Sequence, residues 1–335
     1  MPDVTVIGAG PYGLATAKAL RDRGLSVAVY GKPMGFWRDH MPPGMLLRSG
    51  PDWHMDPAGE LTFHAFCPDP PAPIPLSLYL DYADWFQAQA GIEPIEAELT
   101  ALPDGPVVAA PGVAYFQHRP EWATDEVHTC DYVDFADVSG AELLIVGGRQ
   151  SAYETAALAL EHGAARVDVV HRHPQPRFAE ASWAFVDEHV QRTLDVPGYW
   201  RRLPASEQAA IARRFWEVGR LTLEPWLSAR IKPVHVHAGS EVVRVDGEVE
   251  LSDGTRLRPD RIVLATGYKA DLSRVPYLPE LATEALDEHM QSVARPGLFL
   301  PGFVATADFG PFFGFVKGAP AAATLIARAM VHANG

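Results

Sequence analysis

Ten residues near the start of the chain constrain its fold more than any others: Val4 to Gly13 read V-T-V-I-G-A-G-P-Y-G. Val4, Val6 and Ile7 form a short run rich in β-branched residues, the pattern of a buried strand. Gly8, Gly10 and Gly13 follow at G-x-G-x-x-G spacing, enclosing Pro11 and Tyr12. Leu14, Ala15, Ala17, Ala19 and Leu20 then predict a helix packed close to the sheet and stopping at Gly24, and Val27 to Tyr30 predicts the next strand. Strand, glycine turn, helix and strand in this order form a cradle for a dinucleotide. Gly8 allows the tight turn, Gly10 lets backbone approach a pyrophosphate, and Gly13 lets helix and strand pack closely. The helix start adds free N–H groups and partial positive charge.

The pattern recurs about 140 residues further on. Leu143 to Val146 predicts a strand, Gly147, Gly148, Arg149, Gln150, Ser151 and Ala152 the turn, and Tyr153 to Leu160 the helix, ended by Gly163. Val167 to Val170 predicts the following strand. Two such units imply two nucleotide sites. The second is imperfect. Arg149 stands where the second glycine belongs, which blocks backbone approach but offers a guanidinium to a pyrophosphate. The second strand ends in His171, Arg172 and His173 rather than an acid, and basic groups there suit a 2′-phosphate, hence NADPH over NADH. The alternative is a solvated basic patch on an acidic protein.

Between and after the two units the chain is less regular. Gly31, followed by Lys32, occupies the place where an acid usually binds the adenosine ribose. Met34 to Ser49 is rich in Pro and Gly yet carries Phe36, Trp37, Met41 and Leu46. It reads as an irregular segment, either wrapping a flat cofactor or simply packed. Leu76 to Ala90 has helical spacing, and 91–112 leaves room for a hairpin at most. Phe178 to Lys232 turns helical and aromatic, with Glu207 to Val218 amphipathic; this insertion serves as a substrate lid or a dimer surface. Val234 to Leu257 predicts a meander with an Asp253-Gly254 turn. Asp260 to Tyr268 returns as a buried strand ending in A-T-G-Y, Gly297 to Gly302 is strand-like, and Ala319 to Val331 is a terminal helix.

The net charge of −14 disfavours nucleic acid or an anionic membrane as partner. Cys67 and Cys130 are isolated, which argues against a disulfide framework, a dithiol redox centre and a metal site. With no long uncharged apolar span, a cytoplasmic protein is expected.

The paired glycine loops, the G-F-W ending at Trp37 and the D-R-I-V-L-A-T-G-Y of 260–268 resemble the class B flavin monooxygenases, which include flavin-containing, Baeyer–Villiger and N-hydroxylating enzymes. The resemblance covers nearly the whole chain. The family's F-x-G-x-x-x-H is represented by Trp122, Thr124 and His128, with Tyr132 beyond, and Ser273 stands where a His or Pro usually follows the A-T-G-Y. The resemblance implies an α/β fold of two Rossmann-like, three-layer ββα domains, the second inserted in the first. Residues 1–125 and 276–335 would form the FAD domain, and 126–275 the NADPH domain with its helical insertion at 178–232. It also implies a mechanism in which FAD on the first loop accepts hydride from NADPH on the second. By the same resemblance the reduced flavin would take up O₂ as a C4a-hydroperoxide and one oxygen would pass to a small molecule, with amine nitrogen slightly favoured. Thr266, Gly267 and Gly302 would line the cofactors. Phe303 replaces an acid that reaches the flavin chain, with Asp308 as substitute. The chain's single asparagine is Asn334, so the asparagine that steadies the oxygenating species in some relatives is not available. Arg48, Ser49 and Asp52 are the polar candidates for that work, with His54 nearby; an Arg48–Asp52 pair would resemble the Baeyer–Villiger branch, or else be a surface ion pair. A flavin reductase without oxygen transfer and a degenerate nucleotide-binding member are the other readings.

Overall fold

The computed structural model describes residues 1–131, 133–278 and 285–332. Tyr132 and Asn334, singled out above, lie outside the described residues.

Two parallel sheets organise the chain. In the first, the neighbours run Leu298–Phe299, Val107–Ala109, Val4–Ile7 and Val27–Tyr30, every pair parallel. In the second they run His235–Ala238, Arg166–His171, Glu142–Val146, Arg261–Leu264 and Val127–His128, again all parallel. Val4–Ile7 is buried at every position, as a strand covered on both faces must be. In each sheet the strand before the glycine turn has its successor on one side and a much later strand on the other. Such a reversal of strand order opens a crevice at the carboxyl end of the strands, where ligands of α/β sheets bind.

Side-chain alternation sets the layers. Leu143 and Ile145 point toward the Gln150–Glu161 helix and pack with Ala152 and Ala156. Leu144, one residue out of phase, packs on the opposite face with Val242, Val249 and Leu251 of a three-stranded antiparallel sheet. That is the expected ββα sandwich. On the first sheet, the Pro11–Arg21 helix lies along the terminal Ala319–His332 helix. Ala15, Ala17, Ala19, Ala322 and Ala323 are buried there, and small side chains let the two helices approach closely.

Four expectations are corrected. The Met34–Ser49 segment is not wholly irregular: Gly35–Asp39 is a short helix, entered from Met34 at φ +51. No hairpin forms in 91–112; Ile95 makes one parallel bridge to Tyr30, and Val107–Ala109 is a central strand. The expected meander is split, because His235–Ala238 joins the parallel sheet beside Arg166–His171 and only Val242–Leu257 is antiparallel. The amphipathic helix of the insertion ends at Phe215, and Trp216–Arg220 widens into a π turn.

The insertion belongs to both halves. Val186, Trp200 and Phe215 are buried in the core of the first sheet, whereas Leu223, Leu227 and Ile231 are buried in that of the second. It therefore bridges the two halves.

Candidate functional site

The first glycine turn is shaped by contacts that exclude side chains. A Cβ on Gly13 would fall 1.7 Å from the Gly8 carbonyl oxygen, and one on Gly8, at φ +106, 2.2 Å from that of Ala110. Gly10 differs: a Cβ there would meet nothing within 4 Å. Space, not packing, lies over Gly10. The Pro11–Arg21 helix has Gly10 as its N-cap, no capping side chain and no acid in its first turn. Its positive end is thus unneutralised. Tyr12 turns away from this opening, its hydroxyl lying between the carbonyl oxygens of Phe313 and Phe315, the latter at 2.8 Å. Gly302, at φ +92, lies against the Tyr12 ring.

Around this turn several expected contacts are redirected. Lys32 is paired with Asp39 at 2.6 Å, and Trp37 packs against Tyr79 with ring centroids 5.0 Å apart. Asp308 accepts from the Leu286 N–H and lies 3.8 Å from Arg201, contacts that tie the return segment to the insertion.

In the second turn, a Cβ on Gly147 would lie 2.3 Å from the Ala265 carbonyl oxygen, and one on Gly148 2.2 Å from the His171 ring. Gly148 therefore makes room for a histidine. His171 is buried, contacts the Tyr153 hydroxyl at 2.9 Å through Nε2 and the His173 carbonyl at 2.8 Å through Nδ1. Burial, then the nearby His173, hold its pKa below the usual value. It is a neutral packing group, which removes it from the expected phosphate contacts; Arg172, next in the chain, is exposed. The Gln150–Glu161 helix has Arg149 as N-cap, no capping side chain and no acid in its first turn, which leaves Ser151 and Ala152 at an open helix start. Gln150 is structural, donating to Glu154 at 3.1 Å and accepting from the Glu224 N–H at 3.1 Å. Thr266 donates to the His118 carbonyl, and Gly267, at φ +81, has open space above it.

The expected Arg48–Asp52 pair does not form. The chain turns at Gly50–Trp53, and Asp52 meets Lys317 at 3.2 Å. Arg48 instead reaches Glu224 at 2.8 Å and donates to the Gly219 carbonyl and, at 3.3 Å, to Thr222. Glu224 is 4% exposed, and a buried carboxylate needs a counterion. Arg48 is thus a brace between the first half and the insertion. Ser49 is half-buried beside it, and the His54 Nδ1 is buried without a partner. His128 is fully buried; its Nδ1 accepts from the Cys130 N–H at 2.9 Å, and burial pulls its pKa down to about 4.

Sequence reasoning named Arg149 but missed its partners, Trp216, Arg220, Phe315 and Trp183. The Arg149 guanidinium lies 4.1 Å from the centre of the Trp216 ring, and that of Arg220 lies 5.3 Å from the same ring and 5.0 Å from Phe315. Trp183 packs on Trp53 and Phe215 at 5.3 and 5.4 Å. The only signal in the sequence is the aromatic density of the insertion, which an ordinary core shares.

A family model for the NAD(P)-binding Rossmann-like domain matches residues 6–66, which hold the first cradle and the segment leading to Phe66. The chain superposes over its full length on the whole of the ornithine N-hydroxylase of Kutzneria sp. 744, with a TM-score of 0.82 at 15% identity. The fold is that of the class B flavin monooxygenases. The FAD-dependent urate hydroxylase of Xanthomonas campestris pv. campestris is 26% identical over an alignment covering 95% of this chain and 76% of that protein. The same fold also carries a reductase. The bacillithiol disulfide reductase of Bacillus cereus superposes with a TM-score of 0.67 at 16% identity, over 99% of both chains.

Proposed function

We propose that the chain is an NADPH-dependent FAD monooxygenase that oxygenates a small molecule, at an amine nitrogen in preference to sulfur or a carbonyl. The observation that carries this reading is the pair of uncapped helix starts, one below open space at Gly10 and one beside Arg149, set at the reversal points of two parallel sheets. Both fit the phosphates of a dinucleotide. Gly8, Gly10, Pro11, Tyr12 and Gly13, with Gly302, would hold FAD. Gly147, Gly148, Arg149, Ser151 and Ala152, with Arg172, Thr266 and Gly267, would hold NADPH. Residues 1–125 and 276–335 would form the flavin domain and 126–275 the NADPH domain.

Bound flavin, once reduced, supplies the oxygen activation. The chain's own residues position and dehydrate. Trp53, Trp183, Phe215 and Phe315 pack on one another and would wall the space between the cradles, with the Arg48–Glu224 brace holding the insertion to the first half. A dry enclosure keeps a reactive oxygen species from hydrolysis and proton leakage.

The test is an absorbance scan of protein incubated with FAD, then freed of excess, before and after NADPH or NADH, with oxygen uptake followed alongside. A retained yellow band, bleached faster by NADPH, with oxygen uptake is expected. Arg172→Ala should slow bleaching by NADPH about tenfold and leave NADH unchanged, the worth of one charge-assisted phosphate contact. No retained flavin would overturn the reading. Bleaching with electrons passed only to an added acceptor, and no oxygenated product, would favour a reductase.

A further inference from the structure

Two guanidiniums lie against one ring, that of Trp216, with no acid paired to either. Among the described residues neither Arg149 nor Arg220 has a hydrogen-bonded or ion-paired side chain, and the Arg220 Nε is sealed from solvent without a partner. Burial, reinforced by the positive charges of Arg149 and Arg48, pulls the Arg220 pKa down to about 10. Glu224, the buried acid of this corner, is committed to Arg48. Nearby, the Trp183 Nε1 is a second sealed donor without an acceptor, and its ring lies 6.4 Å from Phe315, on which Arg220 also rests. An indole N–H and a guanidinium can only donate. Leaving such groups buried and unpaired costs folding free energy, and the pattern they share calls for an acceptor-rich, negatively charged ligand.

The position decides which anion. Arg149 belongs to the second glycine turn. Arg220 comes from the π turn of the insertion, and π turns are frequent at functional sites. Its Phe315 neighbour is tied to the first turn, because the Phe315 carbonyl accepts from the Tyr12 hydroxyl at 2.8 Å. Arg220 therefore stands where the two halves face each other, whereas the phosphates of a nucleotide belong at the helix starts.

We propose that Arg220 anchors the anionic group of the substrate, so that the molecule oxygenated is a small organic carboxylate whose apolar body rests on Trp216 and Phe315. The proposal depends on the oxygenase reading for the fate of the anion, but not for its binding.

Tryptophan fluorescence and thermal unfolding of the full chain test it, with benzoate and hexanoate as probes, their primary amides as neutral controls, and NADP⁺ as the competing anion. Saturable quenching and a raised Tm with the carboxylates, and neither with the amides, are expected. Arg220→Gln should weaken carboxylate binding at least tenfold and change NADP⁺ affinity less than twofold; Arg220→Lys should retain part of it. Because the charge is unpaired, Arg220→Met should raise the Tm of the ligand-free protein, which a merely structural arginine would not do. Equal binding of amides and carboxylates would overturn the proposal. So would a loss of NADP⁺ rather than carboxylate in Arg220→Gln, which would return the arginine to the pyrophosphate. A protein that binds carboxylate through Arg220 but retains no flavin would sink the oxygenase reading and leave the anion site standing.

Discussion

Gly10 and Gly13 differ by three positions and share a motif, yet the structure gives them opposite reasons to be glycine. A Cβ at 13 would collide with the Gly8 carbonyl, and one at 10 would enter open space. Gly13→Ala should therefore destabilise the protein by about 1–3 kcal/mol, as overpacking does, whatever is bound. Gly10→Ala should unfold like the wild type when ligand-free and lose FAD affinity, and Gly10→Glu should abolish flavin retention through repulsion of the phosphates. Equilibrium unfolding with and without FAD separates the two effects; Gly10→Glu protein that stays yellow would refute the assignment of this turn. The glycine spacing was legible in the sequence because backbone geometry is local. Which of the second turn's glycines serve packing was not, because the neighbour that fills the space over Gly148 is His171, on the next strand. His171 itself has the sequence look of a phosphate ligand for the same reason: sequence shows charge type but not whether the ring is buried.

At the scale of elements, the insertion was legible as helical and aromatic but its attachments were not. One of its links to the rest of the chain is the pair Arg48 and Glu224, 176 positions apart in sequence. The expected partner, Asp52, is only four residues from Arg48, and nearness in sequence is a poor guide where a turn reverses the chain. The pair is 15% and 4% exposed, so breaking it strands a buried charge. Glu224→Ala should cost about 3–5 kcal/mol and lower the protection of the 205–223 backbone against hydrogen exchange. Replacing both partners by apolar residues of similar size, Arg48→Met with Glu224→Leu, should recover most of that loss. If the single variant were as stable as the wild type, the brace would be a surface contact and the insertion would be held by its other contacts, the buried apolar residues above all.

Across the whole molecule, the two parallel sheets were legible from strand and glycine patterns, while their order had to come from the structure. Folding on this plan buries histidines in both halves and in the insertion. Burial is the largest influence on His54, His128, His171 and His189, and lowers the pKa of each. A base whose folded pKa lies below its unfolded value stabilises the native state only while both states are neutral. The unfolded chain takes up these protons first, near pH 6.5, and the folded chain later, at about pH 4 for His128. Stability is therefore full above pH 6.5 and falls on acidification through the interval down to about 4, each histidine contributing up to about 1.4 kcal/mol per pH unit. Glu154, raised by its own burial, works in the opposite sense, with at most one proton. Denaturant midpoints measured from pH 7.5 to 4.5 should fall, with close to one proton of the slope from His128 and further contributions of the same sign from the other three. His128→Asn keeps an acceptor for the Cys130 N–H but removes the titration, so its slope should be shallower by close to one proton. A midpoint independent of pH across that range, or an unchanged slope in the variant, would mean that these rings are hydrated in solution and that the two halves pack less tightly around them than the structure shows.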